Sequence, residues 1–177
     1  MTFEWINYLE LFNFNKKQLD EKAIPESLIE AKVREMIHQA YYAVFNCSIE
    51  HAKENLKYYD LELIYKQFKG QSVDNEVNTH LLIREIFDFY DNQEPKYGYA
   101  KISNRFNNIR AYRNQCDYQK EVDDIEDKLL NTEIYSKQII TSLNNINKQL
   151  IKIIVKNDNL QGNFRRFLDN KKKKQKK

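Results

Sequence analysis

Apolar residues recur along this chain every three or four positions, which is the period of an α-helix with one buried face. The longest run begins near Pro25 and Glu26 and continues to about Leu56. Other runs predict a short helix around Phe3–Phe12, ending in the polar sequence NFNKK, and helices over 58–68, 79–90, 99–118 and 122–155. The pattern predicts an all-α fold, an up-and-down bundle of four to five main helices.

A few residues mark the predicted helix ends. Pro25 suits a first turn, where its missing N–H is not needed. Gly70 suits the left-handed residue that follows a helix, because it lacks Cβ. Thr79 is a candidate cap for the next helix, and the sequence DNQEPKYG (91–98) breaks the pattern after it.

Composition agrees with long helices. The 177 residues include only three Gly and two Pro, which argues against a β fold with many turns. No stretch of eighteen apolar residues occurs, so we expect no transmembrane helix and no membrane partner. The N-terminal MTFEWINYLE does not resemble a secretory signal, and Cys47 and Cys116 lack metal-like spacing. We therefore expect a reduced, cytoplasmic protein.

The net charge of +3 is unevenly distributed. Residues 165–177 hold eight basic residues and one acidic residue, whereas the other 164 residues hold 21 basic and 25 acidic ones. The body is thus mildly acidic and the end is a lysine-rich segment. We predict a single domain over 1–160 and a disordered basic tail over 161–177, with a non-specific nucleic-acid arm as the alternative.

Metal and nucleotide motifs are weak. Glu35 and His38 have the i, i+3 spacing of a di-metal bundle, but the second pair that such a site needs is missing, since Glu76 and His80 are four residues apart. We interpret Glu35 and His38 as a surface pair and predict no metal and no cofactor. Three histidines and no Gly-rich phosphate loop leave catalytic triads and P-loops unsupported.

The sequence Tyr41-Tyr42-Ala43-Val44-Phe45 could stack nucleic-acid bases or fill a core. Core packing is the simpler interpretation for Tyr41 and Phe45, which continue the apolar stripe. Tyr42 points about 100° away from Tyr41 on a helix, so it could reach a polar site.

The segment NNIRAYRNQCDY (107–118) places Arg113 where the apolar stripe Ile102, Phe106, Ile109 would continue. A buried guanidinium needs a carboxylate, a phosphate or a partner chain to offset its desolvation. One interpretation is an ordinary helix pair between Arg113 and Asp117. The other is a functional site, because Arg110, Asn114 and Asp117 share the adjacent face and Asn114 reaches Tyr118. On chemistry alone both stay open.

The segment REMIHQAYYAVFNCSIEHA (34–52), followed by RAYRNQCDY (110–118), resembles the HEPN superfamily. The resemblance covers roughly 26–150. It implies a HEPN-like bundle of four or five helices, usually a homodimer, whose active members are metal-independent ribonucleases of toxin–antitoxin or defence systems. It also implies that Arg113 and Arg110 contact phosphate, that Asn114 orients it, and that Asp117 and Tyr42 contribute to binding.

The match has one important departure. Active members of the family place a histidine four to six residues after the arginine, where this chain has Tyr118, Gln119 and Lys120. A tyrosine is a poor base at neutral pH, although its hydroxyl can donate a hydrogen bond. We therefore expect Tyr118 to replace the histidine, phosphate binding to persist, and cleavage to be weak.

Two function classes follow. The first is an RNA- or nucleotide-directed HEPN protein with a degenerate ribonuclease motif. The alternative is a catalytically inactive binding or dimerisation module for a partner such as a nucleotidyltransferase. In both, we expect the face carrying Arg113 to meet an RNA phosphate or a second protomer.

Overall fold

The computed structural model describes residues 7–93, 99–146 and 159–175. These ranges contain seven α-helices and no strand: α1 Asn7–Asp20, α2 Ile29–Asn55, α3 Tyr58–Lys69, α4 Thr79–Gln93, α5 Tyr99–Tyr118, α6 Ile125–Asn145 and α7 Leu160–Lys174. A single turn of 3₁₀-helix, Glu26–Leu28, precedes α2. The predicted all-α helical-bundle class is confirmed.

Several predicted helix ends agree with the structure. Helix α5 spans the predicted range, and Gly70 follows α3 with a left-handed φ of 67°. Helix α4 begins at Thr79, but the capping side chain is that of Asn78, whose Oδ1 accepts a hydrogen bond from the Leu81 N–H. The part of the last predicted helix beyond residue 146 lies outside the described residues.

Helix α1 continues through NFNKK, the segment predicted to end it. The reason is Asn15, which is buried despite being polar. Its Nδ2 donates a hydrogen bond to Oε1 of Gln39 on α2 at 3.3 Å. An amide satisfied in this way can occupy an inward position of a helix, so the polar sequence does not mark a helix end.

The described residues divide into two compact units. The first comprises residues up to Cys47 together with Asn104–Asn144, and the second comprises Ser48–Ser103 together with residues from Asn145 onwards. Helices α2 and α5 each contribute to both units. The single domain over 1–160 stays a prediction.

The first unit is built on the apolar stripe of α2. One cluster joins Phe12 of α1 to Met36 and Ala40. Another joins Val33 and Ile37 to Cys116 near the end of α5, with further apolar side chains from α1, α5 and α6 around it: Leu19, Tyr112, Ile125 and Leu129. Further along α2, Tyr41 and Phe45 stack on Phe106 of α5, with ring centroids 5.8 and 5.9 Å apart. The predicted core role of Tyr41 and Phe45 is confirmed.

The second unit packs α3, α4 and α7 against one another. Helix α4 buries most of its apolar residues, and Phe89 meets the ring of Phe164 on α7 at 5.1 Å in an edge-on geometry. Helix α7 buries Leu160, Phe164 and Leu168, which lie four residues apart on one face.

The prediction of a disordered tail is wrong for residues 161–174. Three apolar residues at helical spacing precede the lysines, and their burial fixes the segment as a helix. The helix also places Lys171 within 2.6 Å of Glu85 and 2.8 Å of Asp88. A lysine that extends a helix with an apolar face can therefore fold with it, whereas a lysine run by itself would stay solvated.

Candidate functional site

Arg113 lies where the apolar stripe of α5 ends, and its side chain is only 18% exposed. Its Nε is 2.6 Å from Oδ2 of Asp117, one helical turn further on. One terminal nitrogen donates to Oδ1 of Asn114 at 3.1 Å, and the other donates to the Tyr42 hydroxyl at 3.3 Å. The guanidinium is thus compensated by neighbours from its own chain, which supports the helix-pair interpretation and removes the need for a second protomer.

Three aromatic rings surround the same guanidinium. Its central carbon lies 5.7 Å from the ring centroids of Tyr41 and Tyr42 and 5.9 Å from that of Tyr118. Cation–π contacts of this kind stabilise a cation that has lost part of its water. Burial lowers the pKa of Arg113, but Asp117, Tyr42 and Tyr118 outweigh it and raise that pKa above its ordinary value. The group therefore carries a fixed positive charge.

His38 joins this group from helix α2. Its Nδ1 is 3.3 Å from Oδ1 of Asp117, and its ring centroid is 4.7 Å from that of Tyr42. The two oxygens of Asp117 are thus divided between an imidazole and a guanidinium. The His38 side chain is 44% exposed.

The predicted Glu35–His38 surface pair is wrong. Glu35 instead contacts Lys32 at 2.9 Å and accepts a hydrogen bond from Gln39 at 2.8 Å. His38 turns towards Asp117 on another helix, which the local sequence could not reveal. His38 is therefore the main residue that sequence analysis missed at this site.

We call Arg113, Asn114, Asp117, Tyr42 and His38 the Arg113 cluster. Four of its members are predicted site residues that the structure brings together. The two remaining predictions lie less centrally. Tyr118, the last residue of α5, places its ring beside the guanidinium but is 77% exposed. Arg110 is half-buried, and among the described residues no hydrogen bond or ion pair joins it to the cluster.

Arg110 nevertheless influences the site electrostatically. Burial raises the pKa of Tyr41 far above its ordinary value, while the charges of Arg110 and Arg113 act in the opposite direction. Tyr41 therefore stays protonated at all physiological pH values. It serves as a ring beneath the cluster and not as a base.

The C-terminal end of α5 is held by Arg34 of α2. One of its terminal nitrogens donates to the carbonyl oxygens of Cys116 and Gln119 at 2.6 and 2.9 Å, and the other donates to that of Lys120 at 3.0 Å. Glu30 pairs with the same guanidinium at 2.6 Å. These bonds satisfy carbonyl groups that a helix end leaves without partners, and they fix the turn that carries Asp117 and Tyr118.

Cys116 lies next to the cluster but is a poor candidate nucleophile. It is buried, and burial raises the pKa of its thiol, with Asp117 and Glu30 acting in the same direction and Arg34 and Lys128 against it. A thiol of this kind stays protonated and unreactive at neutral pH. Among the described residues, neither Cys47 nor Cys116 forms a disulfide.

The Arg113 cluster combines a fixed cation, a carboxylate bound to an imidazole, and hydroxyl and amide donors. A carboxylate that accepts a hydrogen bond from Nδ1–H of a neutral histidine leaves Nε2 with a lone pair, the form that acts as a general base. Such a set suits proton transfer beside an anion. The two charges of the cluster act in opposite directions on an anion, because the Asp117 carboxylate repels any phosphate that Arg113 attracts.

Three other features bear on function. No group of three or more His, Cys, Asp or Glu side chains that could hold a metal ion occurs in the described ranges. None of the described helices is long and apolar enough to cross a bilayer. Comparison with protein-family models, with curated proteins and with solved structures gave no match.

Proposed function

We propose that this chain is a HEPN-like, RNA-directed protein of a defence or toxin–antitoxin system, and that the Arg113 cluster is its metal-independent phosphodiester site. The observation that carries the proposal is the placement of His38 Nδ1 3.3 Å from the carboxylate that also pairs with Arg113. His38 supplies, from α2, the imidazole that the resemblance to the family leaves missing at 118–120.

The proposed reaction is a transfer of the phosphoryl group within RNA, from the 5′-oxygen of the next nucleotide to the adjacent ribose 2′-oxygen. Nε2 of His38 removes the proton of a ribose 2′-hydroxyl, and the 2′-oxygen forms a bond to the adjacent phosphorus. The P–O5′ bond breaks, and the 5′-oxygen takes a proton from the Tyr118 hydroxyl or from water. The products are a 2′,3′-cyclic phosphate and a 5′-hydroxyl. Arg113 stabilises the charge on the phosphoryl oxygens.

The test uses labelled single-stranded RNA in EDTA with wild-type protein and three variants. His38→Asn keeps a polar group beside Asp117 but cannot act as a base, so the rate should fall about 10²–10⁴-fold. Arg113→Ala should abolish cleavage and weaken RNA binding. Glu35→Gln, an exposed neighbour of His38 on α2, is the matched control and should behave like wild type.

Cleavage that persists in His38→Asn and Arg113→Ala would show that the site lies elsewhere. Cleavage that requires a divalent metal would exclude the proposed mechanism. Cyclic-phosphate ends that appear with wild type and disappear with His38→Asn would support it.

A second candidate is a catalytically inactive binding or dimerisation module. It is favoured by the internal pairing of Arg113, whose terminal nitrogens donate to Asn114 and Tyr42 and whose Nε lies 2.6 Å from Asp117, and by the exposed ring of Tyr118. In this case wild-type protein would not cleave RNA, and Tyr118→Ala would lower affinity for a second protein, such as a nucleotidyltransferase, without affecting RNA. Light scattering against the chain mass of 21.4 kDa tests the proposed homodimer.

A further inference from the structure

Three cations of the second unit converge on one aromatic ring. The centroid of the Phe68 ring lies 5.2 Å from the guanidinium carbon of Arg165, 5.5 Å from Nζ of Lys172 and 5.7 Å from Nζ of Lys69. No two of these charges can therefore be more than about 11 Å apart, which is close to the Debye length in physiological salt. Their mutual repulsion is not fully screened, and an anion placed among them would relieve it.

The carboxylates nearby pair with only one member of this group, Arg165. Glu85 already faces Arg84 at 2.9 Å and Lys171 at 2.6 Å. Asp169 pairs with Arg165 at 3.4 Å, on the exposed side of α7. In the described part of the unit, neither Lys69 nor Lys172 has a carboxylate within ion-pair distance.

Phe68, Lys69 and Lys172 border a groove of about 330 Å³ between α3, α4 and α7, whose lining also includes Tyr65, Arg84 and Lys171. Glu85 also lines the groove and pairs with Arg84 and Lys171, so the positive charge without a carboxylate partner is that of Lys69 and Lys172. Exposed Arg166, Lys173 and Lys174 add further positive charge along α7. A basic groove with aromatic rings is the combination that binds the backbone of single-stranded nucleic acids.

We infer that this groove, which we call the Phe68 groove, binds the phosphodiester backbone of a single-stranded nucleic acid. An anionic membrane would be the other common partner of a lysine-rich helix, but membrane helices insert an apolar face. Here that face is occupied, because Leu160, Phe164 and Leu168 are buried within the unit. The exposed residues of α7 are mostly basic, and its Phe167 ring is half-buried, which fits a polyanionic strand. This inference is independent of the Arg113 cluster.

The test measures binding of fluorescein-labelled oligouridylate of about 20 nucleotides by anisotropy, between about 50 and 200 mM KCl. The Lys69→Gln/Lys172→Gln variant removes two charges from the groove. The control Lys53→Gln/Lys101→Gln removes two charges from exposed positions elsewhere in the unit. Like the groove lysines, Lys53 lies over aromatic rings, those of Tyr58 and Tyr59. Each phosphate contact adds about 0.7 to the salt slope for a single strand, so the groove variant should lose about 1.4 and the control should lose much less.

Phe68→Leu should weaken binding with little change in the salt slope, since it removes the ring but no charge. An equal loss of slope in both double variants would overturn the inference, because it would show only general charge attraction. Tighter binding to phosphatidylserine vesicles than to RNA would assign the groove to a membrane. Displacement of the oligonucleotide by millimolar inorganic phosphate would assign it to a small anion.

Parallel measurements with Arg113→Ala keep this test separate from the proposed ribonuclease site. The difference between the groove variant and its control should be the same in that background. If the Arg113 proposal fails, cleavage is either not seen or does not depend on Arg113, but the salt slopes of binding are unchanged. If the groove inference fails, the slopes of the two double variants coincide while cleavage continues.

Discussion

Nδ1 of His38 lies 3.3 Å from Oδ1 of Asp117, although 79 residues separate the two along the chain. The second oxygen of Asp117 is 2.6 Å from Nε of Arg113. If the proposed function holds, the carboxylate has two tasks that conflict when an RNA phosphate arrives. It orients the imidazole, and it competes with the phosphate for the guanidinium.

Asp117→Asn should separate these tasks. Removing the negative charge lets Arg113 attract phosphate more strongly, so RNA affinity should rise. The imidazole loses its charged partner, so kcat should fall by about tenfold or more. Loss of a half-buried ion pair should also lower the free energy of unfolding by about 1–2 kcal/mol. Asp123→Asn, an exposed control, should change none of the three quantities. A parallel fall in affinity and kcat would mean that Asp117 merely supports the helix.

Arg34→Lys should destabilise the first unit. A lysine has one nitrogen in place of three and cannot donate to the carbonyls of Cys116, Gln119 and Lys120 together. Charged hydrogen bonds of this type contribute about 1.5–3 kcal/mol each when lost without replacement, so we expect a fall of about 1–3 kcal/mol in urea denaturation. Arg105→Lys in α5 is the matched control. Unchanged stability would show that water replaces Arg34 at the end of α5.

Glu133 gives the fold a predictable dependence on pH. Burial raises its pKa, but Lys137 and Lys16 outweigh this effect and lower the pKa below its ordinary 4.5. A carboxyl whose pKa is lowered by folding stabilises the protein above the unfolded value and loses that contribution as the pH falls through the folded value. Glu133→Gln should therefore cost up to about 1 kcal/mol at neutral pH and almost nothing at about pH 3.

The same denaturation curves with Glu126→Gln provide the control, since Glu126 is an exposed residue of the same helix. Its effect should be small at both pH values. A cost of Glu133→Gln that stays constant with pH would indicate lost packing and not lost charge.

Phe164→Ala tests the burial of α7. The ring is fully buried and meets Phe89, so truncation should lower the free energy of unfolding by about 3–5 kcal/mol. Phe14→Ala, at a position that is 58% exposed, should cost less than about 1 kcal/mol. Equal and small losses from both variants would restore the original prediction of a disordered tail.

The parts of the structure that sequence could predict depend on local rules. The 3.6-residue period predicted α5, and the missing Cβ of Gly70 predicted the end of α3. The position of Arg113 on an apolar stripe predicted that it would need compensation, and Asp117 four residues later was a candidate on the same helix. All of these relationships lie within about one helix or its end.

The missed features depend on contacts between distant segments. Nothing around His38 indicates Asp117, because their approach requires α2 and α5 to pack. The sequence around Asn15 indicates a helix end because the residue is polar. The partner that allows its burial, Gln39, lies on another helix and is not visible in the local sequence. The lysines of α7 suggested disorder because Glu85 and Asp88, which pair with Lys171, lie more than 80 residues earlier.

The first unit is formed by two separate segments of the chain, so the ribosome completes one segment well before it makes the other. Helices α3 and α4 are made entirely between His38 and Asp117, so translation at 5–20 residues per second leaves roughly 4 to 16 s between the two halves of the Arg113 cluster. During that interval a nascent chain has the imidazole but neither the carboxylate nor the guanidinium. A growing polypeptide therefore has no complete Arg113 cluster until translation has passed the end of α5.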